Sequence, residues 1–319
     1  MTKHLLSNWS QSPYAFGGAA ISGEGGGYGF GQPKDNAEEL LEYAFEKGIR
    51  VFDTAPIYGF GKSEEILGEY FKKNRDQVKI ISKSGVYWHE NQRVDMTNDP
   101  KITEKMLEDS LRRLQSDYID LYMIHWPDAQ VDIRRPMEVL AKAKNRGKIK
   151  HIGLCNTHIL DYQAASEIEK IEVIQSEHNI FNSPPEDIKE IILKDNLSFM
   201  GWGTFDKGIL TGRVTKKREQ AKDYDKDDCR KSAPWWSQKE VLAKCEKVEK
   251  LEDFIKSISS QNKGVSNLTE LSLRYLFSKT WHSVTLMGAK SKKDWEEVLE
   301  VSTEPLEETW IQEINRICH

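Results

Sequence analysis

No apolar run in the 319-residue chain approaches the ~18 residues that a membrane-spanning helix requires. Neither sign of charge dominates. With 46 basic and 51 acidic side chains the net charge is −5, so there is no global attraction for nucleic acid or an anionic membrane. Cysteine is scarce. Cys155, Cys229, Cys245 and Cys318 are scattered without a Cys-x-x-Cys pair, which excludes a zinc ribbon and a dithiol redox motif. Residues 1–10 hold too short an apolar stretch for a secretory signal, and a reduced, cytoplasmic protein is expected. A dinucleotide fingerprint is missing too. The glycine-rich stretch at 23–31 follows the first candidate strand yet never satisfies G-x-G-x-x-G, which argues against an open nucleotide-binding sheet.

What is present is a rhythm. Short β-branched or apolar runs at 15–21, 50–54, 78–82, 119–125, 148–154, 173–177, 197–202 and 283–287 read as strands. Amphipathic stretches lie between them. Residues 36–47 carry Leu40, Leu41, Tyr43 and Ala44 on roughly one face, and 103–114 carry Met106, Leu107, Leu111 and Leu114. Further helical stretches fall at 137–145, 159–168, 185–193, 239–255, 268–277 and 292–298. Eight strand–helix repeats without a composition shift predict one (β/α)8 barrel spanning residues 1–319 as a single domain. The glycines at 23–31 then form a flexible loop at its mouth. Residues 213–237 break the rhythm. They are charged and helix-poor and read as a long loop after the seventh strand, with Trp235 and Trp236 to dock it over a ligand or onto the body. The tail at 304–319, with Leu306, Trp310, Ile311 and Ile314 at helical spacing, predicts an extra C-terminal helix.

In such a barrel, residues at strand C-terminal ends face the active-site mouth. Asp53 ends the second strand, Lys83 the third and His125 the fourth, while Tyr58 follows Asp53 in its loop. Each alone has an ordinary structural role. Together they meet around one cavity. Asp53 supplies the countercharge that a buried Lys83 needs. A lysine cation beside a phenol favours phenolate, making Tyr58 a proton donor and acceptor near neutral pH. His125 orients a carbonyl oxygen or relays the proton. The set suits protonation of a developing alkoxide, and because no side chain delivers hydride, a cofactor is implied.

The stretch Phe52-Asp53-Thr54-Ala55-Pro56-Ile57-Tyr58-Gly59-Phe60-Gly61-Lys62-Ser63-Glu64-Glu65-Ile66-Leu67-Gly68 resembles the signature of the aldo-keto reductase family. Ile119-Asp120-Leu121-Tyr122-Met123-Ile124-His125-Trp126-Pro127-Asp128 resembles its second signature, and Gly147-Lys148-Ile149-Lys150-His151-Ile152-Gly153-Leu154-Cys155-Asn156 its third. The likeness runs from about Phe16 to Val298. It implies a barrel enzyme that reduces an aldehyde, ketone or sugar with NAD(P)H, reversibly. It makes Tyr58 the general acid, tuned by Lys83 and Asp53, with His125 positioning the carbonyl. By the same resemblance Asn156 and Gln175 hold the nicotinamide carboxamide and Trp202 stacks on its ring. Gly203, Thr204, Phe205, Gly208, Leu210 and Gly212 belong to the segment that wraps the pyrophosphate, and Gly288 and Lys290 to the adenosine-phosphate site.

Four positions depart from the family pattern. Cys155 stands where serine is usual and Thr204 where proline is common. Asp294 falls where arginine or glutamine often sits near the adenosine 2′ position, and Val298 replaces a common asparagine. A carboxylate repels a 2′-phosphate and accepts from a 2′-hydroxyl. Lys290, Lys292 and Lys293 attract phosphate, so NADP(H) is slightly favoured over NAD(H). The substrate pocket is expected to draw on Val86-Tyr87-Trp88, Trp126, Phe205 and the Trp235–Trp236 pair, whose aromatic walls suit flat carbonyl compounds or sugar faces. The partner is then a small molecule, with no nucleic acid and no membrane; a monomer and a homo-oligomer are both compatible. Two other readings keep the barrel. One is a cofactor-binding, redox-sensing regulatory subunit; the other is an aldolase with Lys83 as Schiff-base nucleophile.

Overall fold

The computed structural model describes residues 4–23, 36–91, 93–224, 228–231, 233, 235–259 and 264–319. Eight parallel strands close into a barrel: β1 (Tyr14–Gly17), β2 (Val51–Asp53), β3 (Lys79–Ser84), β4 (Ile119–Ile124), β5 (Ile149–Cys155), β6 (Val173–Glu177), β7 (Ser198–Trp202) and β8 (Val284–Met287). Neighbours in space are neighbours in order, and β1 pairs with both β2 and β8. All eight expected strands are present. The first is shorter than expected, because Gly18–Ile21 turns into a 3-10 helix. The glycine-rich loop, apart from Gly23, lies outside the described residues. Among the described residues no helix is long and apolar enough to cross a membrane.

Strand alternation sorts the side chains. Ala15, Val51, Ile81, Leu121, Met123, Val173, Met200, Val284 and Leu286 point inward and form the barrel's own core. Phe16, Phe52, Ile80, Tyr122, Ile124, Ile152, Leu154, Ile174 and Phe199 point outward and pack beneath the helices. Leu6, on a short helix at Leu5–Trp9, plugs the strands' N-terminal end; its amide donates to Ser198 Oγ at 3.1 Å.

Three elements were not expected from the sequence. The helix Lys62–Phe71 follows β2. Its inner face holds Ser63, Glu64, Leu67, Gly68 and Phe71, so a glutamate and a glycine occupy positions that an apolar pattern would fill. Arg113 donates to Glu64 at 2.7 Å and so does Ser82, at 2.6 Å, which satisfies the buried carboxylate. A hairpin, Val86–Trp88 against Val94–Met96, rises from the end of β3. The helix Lys216–Ala221 corrects the helix-poor reading of 213–237. The fully buried Glu219 anchors it, accepting from Tyr224 Oη at 2.7 Å and Trp236 Nε1 at 2.9 Å. Trp236 is thereby part of a second core under the helices Gln238–Ile258, Leu268–Phe277 and Glu308–Cys318, the last being the expected tail helix.

Outside the barrel wall, His178 Nδ1 and His282 Nδ1 lie 3.0 Å apart, and His282 Nε2 meets Thr285 Oγ1 at 2.7 Å. Burial pushes the His282 pKa down to about 3 and that of His178 well below its ordinary value. An unfolded histidine titrates at about 6.5. Above that pH both states are neutral and nothing is lost. Below it the unfolded chain takes up protons that the folded chain refuses, so stability falls from about pH 6.5 toward pH 3. A His282→Gln variant should have a shallower fall between pH 6 and 4, by about 1 kcal/mol per pH unit, in urea unfolding. Equal slopes would show that His282 is not held neutral.

Candidate active site

The mouth of the barrel is built two residues above its apolar floor. On β2 the inward face runs from Val51 to Asp53, on β3 from Ile81 to Lys83, and on β6 from Val173 to Gln175. His125 follows β4, two residues beyond Met123. Tyr58 is set by a tight turn. Its amide donates to Ala55 O at 3.0 Å, and Ser63 N donates back to Tyr58 O at 3.3 Å. Gly59 has φ +60°, and a Cβ there would come within 2.1 Å of Ser22 O, so only glycine fits. The turn is fastened below, where Thr54 Oγ1 donates to Ser63 Oγ at 2.7 Å and Ser63 Oγ to Gly18 O at 3.0 Å.

The structure brings the four expected residues together. Lys83 is fully buried, and its Nζ donates to Asp53 Oδ1 at 2.7 Å, Asp53 Oδ2 at 2.8 Å and Thr54 O at 2.9 Å. Three acceptors saturate the ammonium, the condition for burying it. Its Nζ lies 5.3 Å from the centroid of the half-buried Tyr58 ring. Tyr58 and His125 meet edge to face, ring centroids 6.0 Å apart at 87°. Burial, and then the Lys83 cation, hold the His125 pKa well below its ordinary value, so the imidazole is neutral at neutral pH.

Asn156, Gln175 and Trp202 lie on the adjoining wall. Asn156 has φ +53°, which turns it off the end of β5. Trp202 Nε1 donates to Asn156 Oδ1 at 3.1 Å, and Asn156 Nδ2 donates to His125 O at 3.1 Å. Gln175 is buried and its Nε2 donates to Asp53 Oδ2 at 2.9 Å. Cys155 lies between the two amides.

The hairpin and β4 supply an aromatic wall. Trp88 and Trp126 gather with Tyr58 and Phe60 around Ala55, Ile57 and Val86. Phe60, not singled out from the sequence, packs against Trp88 at 5.9 Å. Tyr87 is turned to the hairpin's other face, against His89 and Lys105, as strand alternation requires, and so leaves the pocket. Trp126 stacks beside His125 at 6.5 Å; its Nε1 is buried and has no hydrogen-bond partner among the described residues. Trp236 is spent on Glu219, whereas Trp235 is 48% exposed with Lys207 Nζ 5.6 Å from its ring.

Residues 203–212 leave β7 in a tight wrap. Thr204 is buried, and its Oγ1 donates to Leu286 O at 3.2 Å, so its side chain ties the segment to β8. Three consecutive residues have positive φ: Asp206 (+42°), Lys207 (+57°) and Gly208 (+96°). Leu210 is fully buried in the second core and Phe205 packs against it. Gly212 also has positive φ, +72°. Across from it, Gly288 and Lys290 are exposed ahead of the helix Lys292–Leu299.

Asp294 is not the free carboxylate the sequence suggests. Its Oδ1 accepts from Arg213 Nη1 at 2.7 Å and its Oδ2 from the Lys290 amide at 3.2 Å. Burial works against its charge, but Arg213 and Ser291 hold its pKa below the ordinary range. Arg213 Nη2 also reaches Glu297 at 3.1 Å. Arg213 was seen only as the start of a loop; its one signal was a guanidinium directly after the glycine that ends the wrap. Val298 is buried in the main core, so the missing asparagine removes a polar group from a position this chain uses for packing.

The donor set fits a nicotinamide cofactor. Two amides offer paired donors and acceptors to a carboxamide, an indole offers a face to a flat ring, and the lysines at 290 and 293 offer positive charge to phosphate, whereas Lys292 is paired with Glu39 at 3.0 Å.

The Aldo/keto reductase family model matches residues 15–318. "Aldo-keto reductase YhdN" of Bacillus subtilis (strain 168) is 31% identical over 293 residues, 90% of this chain and 85% of its own length. The "NADH-specific methylglyoxal reductase" of Escherichia coli (strain K12) is 31% identical over 222 residues, 64% of this chain and 65% of its own. The solved structure of the glycerol dehydrogenase AKR11B4 from Gluconobacter oxydans superposes with a TM-score of 0.79 at 27% identity, covering 96% of this chain and 91% of that one. With a family match over nearly its whole length and a barrel of the same build, the chain belongs to the aldo/keto reductase family of NAD(P)H-dependent oxidoreductases.

Proposed function

We propose that the protein reduces small aldehydes or ketones with Tyr58 as the proton donor. The observation that carries this reading is the saturated Lys83–Asp53 pair beneath the Tyr58 ring, with neutral His125 at its edge. When bound, the nicotinamide cofactor supplies the hydride to the carbonyl carbon. His125, uncharged, donates its N–H to the carbonyl oxygen and fixes its direction. Tyr58 Oη then gives its proton to the same oxygen as negative charge develops there, and the Lys83 cation favours the phenolate left behind. In the reverse direction the phenolate accepts the alcohol proton. Lys83 acts only through charge. An ammonium held by three acceptors and fully buried is the opposite of what a Schiff-base nucleophile needs.

The pocket wall supports a narrower substrate class. Trp88, Trp126 and Phe60 offer flat apolar faces, and the buried Trp126 Nε1 is a donor in search of an acceptor. A carbonyl compound with a second oxygen on the neighbouring carbon satisfies both, as in a hydroxyaldehyde, a sugar or a dicarbonyl. A relative is named for methylglyoxal, a dicarbonyl, and another for glycerol, whose oxidation yields a hydroxycarbonyl compound.

For the cofactor we propose use of both forms, with NADPH ahead. Arg213 neutralises Asp294, so that carboxylate no longer opposes a 2′-phosphate beside Lys290 and Lys293.

Tyr58→Phe should lower kcat for carbonyl reduction by about 10²–10⁴-fold. Its cofactor affinity, read by tryptophan fluorescence, should stay near that of the parent. A variant with near-normal turnover removes Tyr58 from the proton step. If the parent itself retains cofactor with negligible turnover on any small carbonyl compound, the regulatory-subunit reading replaces this one. Arg213→Ala should weaken NADPH relative to NADH by about fivefold, the worth of one partly exposed cation. Asp294→Asn should shift the ratio the other way. Unchanged ratios of the two dissociation constants in both variants would place this ion pair away from the 2′ position.

A further inference from the structure

We infer that Cys155 is a positioning residue that bridges the amides of Asn156 and Gln175, holding them in place and joining them into one hydrogen-bonded chain from Trp202 to Lys83. The inference rests on the reading of Asn156 and Gln175 as the carboxamide-holding pair.

Cys155 is the last residue of β5, in register with Gln175 of β6. Its side chain points inward, directly above Gly153, where a Cβ would lie 2.5 Å from Met123 Cε and 2.7 Å from Val173 O. The thiol donates to Gln175 Oε1 at 3.2 Å and accepts from Asn156 Nδ2 at 3.2 Å. Partners that can only donate or only accept decide which way both amides face, and the thiol, which does both, bridges them. Because the Asp53 carboxylate only accepts, Nε2 of Gln175 faces its Oδ2 at 2.9 Å, with Met200 Sδ at 3.1 Å, and Oε1 is left for the thiol proton. Because the Trp202 indole only donates, Oδ1 of Asn156 faces it at 3.1 Å, and Nδ2 is left for His125 O and Cys155 Sγ. Donation therefore runs from Trp202 to Asn156, to Cys155, to Gln175 and to Asp53, where Lys83 meets it from the other side.

Sulfur is the weak link of that chain, since a thiol is both a poor donor and a poor acceptor. Gln175 Oε1 and Asn156 Oδ1 each keep a second lone pair for a carboxamide N–H, so binding leaves the bonds to the thiol, to the indole and to Asp53 intact. Burial keeps the thiol protonated, its pKa pushed up to about 12, so it remains a donor across the working pH range. A departure from the family pattern at this position then has a use. The cysteine presets the amides without competing strongly for them.

The test separates the nicotinamide end from the adenosine end by calorimetric titration of the full-length protein. Four ligands are used: NADPH, NADH, ADP-ribose and 2′-phospho-ADP-ribose. Cys155→Ala leaves the buried Gln175 Oε1 without its donor. It should weaken NADPH and NADH by about tenfold, while both ADP-ribose ligands bind within about twofold of the parent. Cys155→Ser restores a donor and an acceptor and should return dinucleotide binding to within about threefold of the parent. Dinucleotide binding by Cys155→Ala at parental strength would overturn the inference. So would an equal loss for the ADP-ribose ligands, which would mean a general packing defect. If the parent binds dinucleotides no more tightly than their ADP-ribose counterparts, the carboxamide reading itself fails, an outcome visible before any variant is made.

Discussion

A fully buried ammonium is the constraint on which the mouth of this barrel depends. Lys83 cannot sit at the top of the inward face unless all three of its protons are taken, and β2 supplies every acceptor. Asp53 pairs with Ile81 across the β2–β3 ladder, and Lys83 stands two residues further along β3. A one-residue slip would send the lysine to the outer face, among the phenylalanines, with the carboxylate stranded inside. Asp53 also accepts from Gln175 on the far side of the barrel, so one carboxylate fixes three strands. The turn that carries Tyr58 starts from Thr54, whose carbonyl is already committed to the lysine. The phenol above the cation is thus a consequence of burying that cation.

The layer below explains why the same surroundings act differently on two bases. Val51, Ile81, Met123, Val173 and Met200 form a dry floor directly under Asp53, Lys83, His125, Gln175 and Trp202. Low polarity strengthens the lysine–aspartate attraction and penalises any charge left uncompensated. For Lys83 the Asp53 carboxylate offsets the cost. For His125 burial and the neighbouring cation push in one direction, toward the neutral ring. On the proposed mechanism, a neutral donor beside a cation-supported phenol gives two distinct partners to one carbonyl oxygen.

The strand ends were readable in the sequence because a period of two is strict, and Asp53, Lys83, His125 and Gln175 each end or follow an apolar run of the right phase. The helix Lys62–Phe71 was hidden by its own packing. Its inner face spends one position on Glu64, answered by Arg113 and Ser82 from distant elements, and one on Gly68, where a Cβ would lie 2.5 Å from Arg113 O. Neither partner is adjacent in sequence, so the apolar stripe looked broken. The helix Lys216–Ala221 was masked in the same way, by a buried Glu219 whose partners Tyr224 and Trp236 come later in the chain. The partner of Asp294 went unseen because a carboxylate's meaning depends on its neighbour, and Arg213 lies 81 residues away in the chain. In these three cases what escaped sequence reasoning is a polar group whose partners lie outside its own element.

That difference separates the two halves of the site physically. The reducing end is made of buried links, where removing one partner leaves an uncompensated charge or an unsatisfied amide at a cost of several kcal/mol. The proposed adenosine end is held by pairs such as Arg213–Asp294 and Arg213–Glu297, with Arg213 53% exposed, and exposed pairs contribute about 1 kcal/mol or less. Exchanging charges there barely touches the fold, whereas exchanging Asp53 or Lys83 dismantles the top of the barrel. Cofactor choice can therefore drift among proteins of this build while the proton-transfer layer stays as it is. The Cys155 thiol sits between the two regimes, buried like the first and weakly bonded like the second. On the proposed carboxamide reading, substitution there alters the grip on the nicotinamide end without removing a charge or an amide.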